Sequence, residues 1–524
     1  MPVLLLTLGF ALGQQLVWEI PASNNSGYRW CGPFGDYDQD GYKDLVAAQV
    51  VGQSTPQMQV NICVLSGRNG ALLHLRPSSL GIGKIEGAGD VDGDGYDEYI
   101  WFSSGRIHIH SPRRNLELFF VPPVGPGPSP GPGQFGDAVE PHIDLDGDGL
   151  GDILGATVRS FDSSLYAYDH LGALRYVIPA SVHGWSIQSI ANVGDRDGDG
   201  GEDFLVGAHG GLGAEGGVFL YSGRTGTLLR FHPGLQVFDF LGGMVANAGD
   251  LDKDGVADYL ASNPNGFSDV TVTWSGATGA LIREWRDPSY MTGKGISASH
   301  DVDFDGVPDM LFACGSCQFG PFSWGAVQLA SVRDGQIIHE THPLGSVNEY
   351  GFNVVDLGIQ PGSPHPVYAL TFNDIARSGG TIQLWRGEPA RTTLSGTGCS
   401  TTGGPMIPGL RSIPTGARLQ LASAPPGALT WCILGDGTAT TTSGLPLPIA
   451  LDSYGFQGCA LNVPLDFVGA TIAGTVGIDR GYAAFDLPLP LAATGGRRFA
   501  VQWFVLDPAT GFESWTLRRD FSLR

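Results

Sequence analysis

Six short segments of the chain gather carboxylates at fixed spacing. Each follows the pattern D-x-D-x-D-G-x-x-[DE], and they begin at Asp36, Asp90, Asp144, Asp195, Asp250 and Asp301. Acids at positions 1, 3, 5 and 9 of a tight loop bring several oxygens around one point, and glycine at position 6 permits the sharp turn that brings them there. Without a partner these charges would repel one another, so a hard cation is expected among them. The expected side-chain ligands are Asp36, Asp38, Asp40 and Asp44; Asp90, Asp92, Asp94 and Glu98; Asp144, Asp146, Asp148 and Asp152; Asp195, Asp197, Asp199 and Asp203; Asp250, Asp252, Asp254 and Asp258; and Asp301, Asp303, Asp305 and Asp309. Position 7 would add a backbone carbonyl, from Tyr42, Tyr96, Leu150, Gly201, Val256 and Val307 in turn.

Crowded oxygen sites suit Ca²⁺ better than Mg²⁺, which prefers to keep its waters. The loops are not EF-hands. Those need glutamate at position 12, and here that position is Ala47, Trp101, Gly155, Val206, Ala261 and Phe312. Six Ca²⁺ would offset 12 of the 23 net negative charges, so much of the acidity is explained by metal chemistry. At ~1 mM calcium and a Kd of ~0.1 mM, each occupied site would add roughly 1.4 kcal/mol to folding. A chelator should therefore lower the melting temperature.

The elements that position these loops repeat with them. Successive loops start 54, 54, 51, 55 and 51 residues apart, and one more step of 55 reaches Asp356, read as a decayed seventh copy. An apolar run follows each loop, for example Phe204-Leu205-Val206-Gly207-Ala208, then an alternating strand, a glycine turn and another strand. With the strand before the loop, each unit holds four strands, A to D. Such a unit cannot bury both faces alone and must stack in a ring or a row. Proline closes strand D at Pro77, Pro122, Pro179, Pro233, Pro288 and Pro343, but the seventh copy stops at Ile382-Gln383-Leu384-Trp385-Arg386-Gly387, one strand short. The missing strand is at the N-terminus: Leu16-Val17-Trp18-Glu19-Ile20-Pro21 matches Leu174-Arg175-Tyr176-Val177-Ile178-Pro179. The expected fold is all-β, a seven-bladed β-propeller over residues 14–387 whose last blade is closed by the N-terminal strand, which removes an exposed sheet edge.

The repeats resemble the FG-GAP repeats of integrin α-subunit propellers. Phe135-Gly136 and Gly351-Phe352 echo the FG, and Val206-Gly207-Ala208-His209 echoes the GAP with His for Pro. The resemblance implies structural calcium and a ligand, protein or carbohydrate, on the opposite face. Chain order divides the faces in the same way. A-to-B loops and C-to-D turns share one face, while B-to-C and D-to-A loops, with Trp185, Trp324 and Tyr350, form the other. Extracellular calcium-dependent binding or adhesion is the leading expectation. The alternatives are a polysaccharide lyase or hydrolase on a calcium-bearing propeller, or a structural part of a cell-surface assembly. No H-E-x-x-H or phosphate-cradling glycine loop is present, and the G-x-S-x-G match Gly127-Pro128-Ser129-Pro130-Gly131 falls inside a Pro-Gly run and not at a strand-to-helix turn, so an enzyme is not expected.

The remaining signals bound the setting. A net charge of -23 argues against nucleic acid as partner. Residues 1–13, an apolar run ending in small residues, read as a signal peptide, which makes the chain a secreted or cell-surface protein. No later stretch reaches the roughly 20 apolar residues of a membrane span. Of the seven cysteines, Cys314 and Cys317 could pair, Cys399 and Cys459 form the best candidate bridge, Cys31 and Cys63 stand too far apart, and Cys432 is left over. His108 and His110 share one strand face and could hold a metal, though an exposed strand is the simpler reading. After a Ser/Thr/Gly-rich linker at 388–404, about eight short alternating runs over 405–524 suggest a β-sandwich or jelly roll.

Overall fold

The structure, a computed structural model, describes the strands and most connecting turns between Gln15 and Ser522. Residues 1–14, 523–524 and several loops lie outside the described residues; the longest are 123–134, 287–294, 396–406, 436–448, 451–459, 474–482 and 488–497. The signal-peptide segment, Trp185, Asp303 and the Cys399/Cys459 pair all fall outside them, as do the side chains of Trp324, Tyr350, Cys314 and Cys317.

Among the described residues, seven four-stranded units with antiparallel pairing inside each make up the region to Arg386. Five are separate sheets, and the last two join into an eight-stranded sheet through a parallel pairing of Ser323–Ala330 with Val347–Ile359. Blade 1 holds Ser26–Phe34, Asp44–Val51, Gln59–Leu65 and Leu72–Ser78 as strands A to D, paired in that order. The first strands of the later blades are Ile85–Gly89, Phe135–Ile143, Ser186–Gly194, Met244–Gly249, Gly295–Ala298 and Val347–Ile359. Each first strand packs on the next, and the seventh packs on the first, so the row is a closed ring. Residues of six first strands line a central channel of about 390 Å³.

Blade stacking decides the residue pattern. In strand B of blade 1, Val46, Ala48 and Val50 pack against Ile85, Tyr99 and Trp101 of blade 2. The alternate residues Leu45 and Ala47 pack against Val355, Ala369 and Leu384 of blade 7. Both faces are covered, so the inner strands read as near-continuous apolar runs. A separate core of this kind fills each of the seven interfaces.

The seventh blade combines Val347–Ile359, Pro366–Asp374 and Gly379–Arg386 with the N-terminal strand Gln15–Ile20. Gln15 pairs with Arg386, Glu19 with Gln383 and Ile20 with Ile382, so the first strand does close the ring. Its Trp18 donates from Nε1 to the Gly67 carbonyl of blade 1, at 3.1 Å. Tyr176 does the same for Gly223 of blade 4, and Arg230 for Gly276 and Ala277 of blade 5. The residues matched by sequence therefore play matched parts, each a strand-D side chain that caps the next blade's C-to-D turn.

One register is corrected. The spacing puts Asp356 at loop position 1, but its Oδ1 accepts the Gly358 N–H at 2.7 Å. Asn192 and Asn247 accept the N–H groups of Gly194 and Gly249 in the same way, three residues before Asp195 and Asp250. Position 1 of blade 7 is thus Ile359, and the loop has been replaced by a shorter turn before Pro366.

The C-terminal region is a β-sandwich. A six-stranded sheet includes Leu429–Gly435, Phe467–Ile472 and Arg498–Asp507, and a three-stranded sheet holds Ile407–Ile413, Gly416–Ala422 and Ala483–Leu487. Leu419 and Leu421 of the smaller sheet share a core with Cys432, Val501, Trp503 and Val505 of the larger. Thr392–Ser395, within the span expected to be linker, is a strand paired with Arg518–Ser522. The polar Ser/Thr composition of that segment hid a short edge strand. Cys31, Cys63 and Cys432 are free and buried.

Candidate metal centres

Each acidic loop is first a backbone device. The carboxylate at position 1 turns the chain on itself: Asp36 accepts the N–H of Asp40 at 3.0 Å and of Gly41 at 2.7 Å. Asp90, Asp144, Asp250 and Asp301 repeat both bonds, and Asp195 repeats the second. The carboxylate at position 5 then accepts the N–H of position 7, at 2.8–3.1 Å from Tyr42, Tyr96, Leu150, Gly201, Val256 and Val307. Glycine at position 6 sits at φ of 85° to 94° in all six loops, a conformation other residues adopt at a cost.

This winding leaves carboxylate oxygens close together. Ligand oxygens lie within 4.8 Å of one another in five groups: Asp36, Asp38 and Asp40; Asp90, Asp92 and Glu98; Asp144, Asp146 and Asp152; Asp195, Asp197 and Asp199; and Asp250, Asp252 and Asp254. Two oxygens on one Ca²⁺, each about 2.3–2.6 Å from the ion, can be no farther apart than about 5 Å. The spacing therefore fits calcium. Asp94 and Asp148 are absent from their groups, and Asp303 of the sixth loop lies outside the described residues.

Position 9 behaves in two ways. Asp44, Glu98, Asp152, Asp203 and Asp258 are all fully buried. In blades 1, 4 and 5 the acid is a staple. One oxygen accepts the N–H of loop position 2 (Tyr37, Arg196 or Leu251), and the other accepts the N–H of Gly67, Gly223 or Gly276 in the C-to-D turn. Those glycines allow a very close approach. A Cβ on Gly67 would fall 1.8 Å from the Lys43 carbonyl oxygen, and one on Gly223 1.8 Å from that of Glu202. Blades 2 and 3 carry Pro112 and His170 at the same turn position. Proline has no N–H to give, and a side chain of any kind holds the turn away. Asp152 Oδ1 is accordingly buried with no hydrogen-bond partner. In these two blades the position 9 acid joins the oxygen cluster.

The electrostatics agree. Burial pushes Asp44 up to about 7, opposed by the Gly67 and Tyr37 N–H groups and reinforced by Asp38 and Asp36. Burial likewise raises Glu98 and Asp152 to about 7, and Asp203 and Asp258 to about 6. Carboxyls held this high would be returned to the ionised state by a divalent cation.

Cations of the protein line the outside of the loops. Arg114 pairs with Asp92 at 2.9 Å and Asp94 at 3.3 Å, Arg175 pairs with Asp146, and Arg68 and Arg224 stand 3.7 and 3.8 Å from Asp40 and Asp199. Neighbouring loops also touch: Glu202 accepts the Asp144 N–H at 2.9 Å and donates its own N–H to the Asp144 carbonyl at 2.7 Å. The C-to-D turns and A-to-B loops therefore share one face, as chain order requires.

His108 and His110 are buried, not exposed. His108 stacks on Trp101 at 4.7 Å, and His110 packs beside Tyr99 and His74 of the adjoining blade. They are core residues of the blade 1–2 interface, which the alternating pattern did not distinguish from a solvated strand.

No protein-family model matches the chain, and no curated protein matches it. Among solved structures it is similar to one described as the crystal structure of BBS1N in complex with ARL6DN, soaked with lead. The identity is 11% over 71% of this chain and 97% of that one, with a TM-score of 0.47. The propeller assignment rests on the strand pairing and the closed ring. Among the described residues no helix is long and apolar enough to cross a membrane.

Proposed function

We propose that this chain is an exported binding protein of the FG-GAP, integrin α-like kind, in which Ca²⁺ locks the acidic loops and the opposite face takes a protein or carbohydrate ligand. The observation that carries the calcium reading is the five-fold recurrence of carboxylate oxygens within 4.8 Å, with the buried, unpartnered Asp152 Oδ1 beside one of the groups. Solvated acidic turns have no reason to leave a buried carboxylate oxygen without a donor. Calcium here supplies charge compensation and rigidity, not chemistry. Ligand recognition falls to the B-to-C and D-to-A loops, which the strand order places at the far ends of the blades.

The test is a glycan and extracellular-protein array probed with the full chain in calcium and in EDTA, with a polysaccharide-degradation assay in parallel. Binding that disappears in EDTA and returns with calcium is the expected result. Turnover of a polymer, abolished by substitutions on the ligand face, would replace this reading with a lyase or hydrolase.

A further inference from the structure

The sixth loop differs from the other five. Its Asp305 is fully buried, and so, nearly, is Arg333, at 6% exposure. Arg333 donates from Nε to Asp305 Oδ2 at 3.1 Å and from Nη2 to the Asp305 carbonyl at 3.1 Å. Ser331 Oγ donates to the same Oδ2 at 3.3 Å, and Val307 N–H takes Oδ1 at 2.9 Å. Both oxygens of the position 5 carboxylate are therefore occupied, as are those of Asp199 in loop 4 by Gly201 N–H and Ser222 Oγ, and the feature that sets loop 6 apart is the buried guanidinium added to Oδ2.

The same turn position holds Arg68 in blade 1 and Arg224 in blade 4, yet those side chains are 60% and 44% exposed and stand off at 3.7 and 3.8 Å. The difference has a packing cause. Where those turns have Gly67 and Gly223, blade 6 has Val332, which is fully buried and joins Leu251, Trp285 and Val307 in the blade 5–6 core. Arg283 of blade 5 donates to the carbonyls of Val332, at 3.2 Å, and Arg333. The turn is drawn inward and its guanidinium goes with it.

A second cation arrives from the neighbouring loop. Lys253 occupies position 4 of loop 5, where loops 1 to 4 have Gln39, Gly93, Gly147 and Gly198. Its Nζ is buried without a hydrogen-bond partner; burial first and the Arg333 charge second hold its pKa below the ordinary lysine value, against the attraction of Asp305, Asp301 and Asp250. An ammonium and a guanidinium together carry the charge of one divalent ion. Seating Ca²⁺ beside them would place like charges together in a poorly solvated site.

We propose that the sixth loop is held by the protein's own cations, Arg333 and Lys253, and takes no calcium. This rests on the calcium reading of the other loops. With the loop of blade 7 replaced, blades 6 and 7 then form a continuous metal-free arc. That arc contains the N-terminal closing strand, so the ring stays closed when calcium is withdrawn while blades 1 to 5 loosen.

Hydrogen exchange of the full chain, read by mass spectrometry in calcium and in EDTA, separates the loops. The amides of Gly41, Gly95, Gly149, Gly200 and Gly255 should exchange at least tenfold faster in EDTA, whereas Gly306 and Val307 should change less than twofold. Native mass spectrometry should count five Ca²⁺. A Lys253→Gln/Arg333→Gln variant that melts near the wild type in calcium should gain a sixth ion and EDTA sensitivity in loop 6; Arg333→Lys should gain neither. Loop 6 responding like the others in the wild-type chain, a sixth wild-type ion, or a folded double variant unchanged in both readouts would overturn the inference and leave the calcium reading standing. Loops 1 to 5 indifferent to EDTA would overturn the calcium reading itself.

Discussion

Asp152 and Asp203 occupy the same loop position with different duties. Asp203 spends both oxygens on backbone N–H groups of Arg196 and Gly223, whereas Asp152 keeps Oδ1 free of any donor. Asp203→Asn would leave a buried N–H facing an amide donor and should cost about 1–3 kcal/mol whether or not calcium is present. Asp152→Asn should weaken calcium binding at its loop by tenfold or more and shift the EDTA-treated melt little. Denaturant unfolding in both conditions, alongside calcium titration, distinguishes the two. Gly223→Ala, whose Cβ would meet the Glu202 carbonyl oxygen, should destabilise the fold more than Gly198→Ala, where no atom lies within 4 Å and the cost is only that of a φ near 78°. The acids at positions 1, 3, 5 and 9 were legible from spacing. Which position 9 acids staple the C-to-D turn and which join the oxygen cluster was not, because that is decided by Gly67, Pro112, His170 and Gly223 in a turn some twenty residues away.

At the scale of elements, the closing strand carries the claim. Glu19 and Gln383 face each other across the first and last strands of the ring, with Gln383 Nε2 donating to Glu19 Oε2 at 2.6 Å. Glu19→Cys/Gln383→Cys should form a disulfide under mild oxidation and raise the melting temperature, since the bond fixes two strands far apart in sequence. Absence of the crosslink in folded protein would contradict the pairing. Trp18→Ala should lower stability by about 1–3 kcal/mol, through lost packing on Gly70 and the lost bond to the Gly67 carbonyl. Strand count and closure were readable because each blade must end its outer strand, and proline does so in six of them. The three-residue slip at Asp356 was not readable: an acid three places early satisfies the spacing as well as a loop acid does, and only its bond to Gly358 reveals its place.

For the whole molecule, pH and the proposed calcium meet at the acidic loops, where Glu98 and Asp152 lie in the oxygen clusters and Asp44, Asp203 and Asp258 are buried beside them. In the calcium-free chain, Asp44, Glu98, Asp152, Asp203 and Asp258 have folded pKa values of about 6 to 7, above the roughly 4 of unfolded carboxyls. The stability this contributes is full below about 4 and is lost as pH rises through 6 to 7. His110 and His232, which burial lowers to about 3 and about 4, act in the opposite sense: the unfolded chain protonates them near 6.5 first, so stability is lost as pH falls below that. Five acids outweigh two histidines between pH 5.5 and 7.5, so EDTA-treated protein should melt lower at 7.5. Calcium, on the proposed reading, would hold the clustered carboxylates ionised and favour ionisation of the buried acids beside them, and so should reverse that order. The most direct measurement is thus the melting temperature at pH 7.5 and at pH 5.5, each in 1 mM calcium and in excess EDTA. Cation-locked loops predict a large calcium-dependent rise at pH 7.5 that shrinks at pH 5.5; identical melts in calcium and EDTA at pH 7.5 would contradict it.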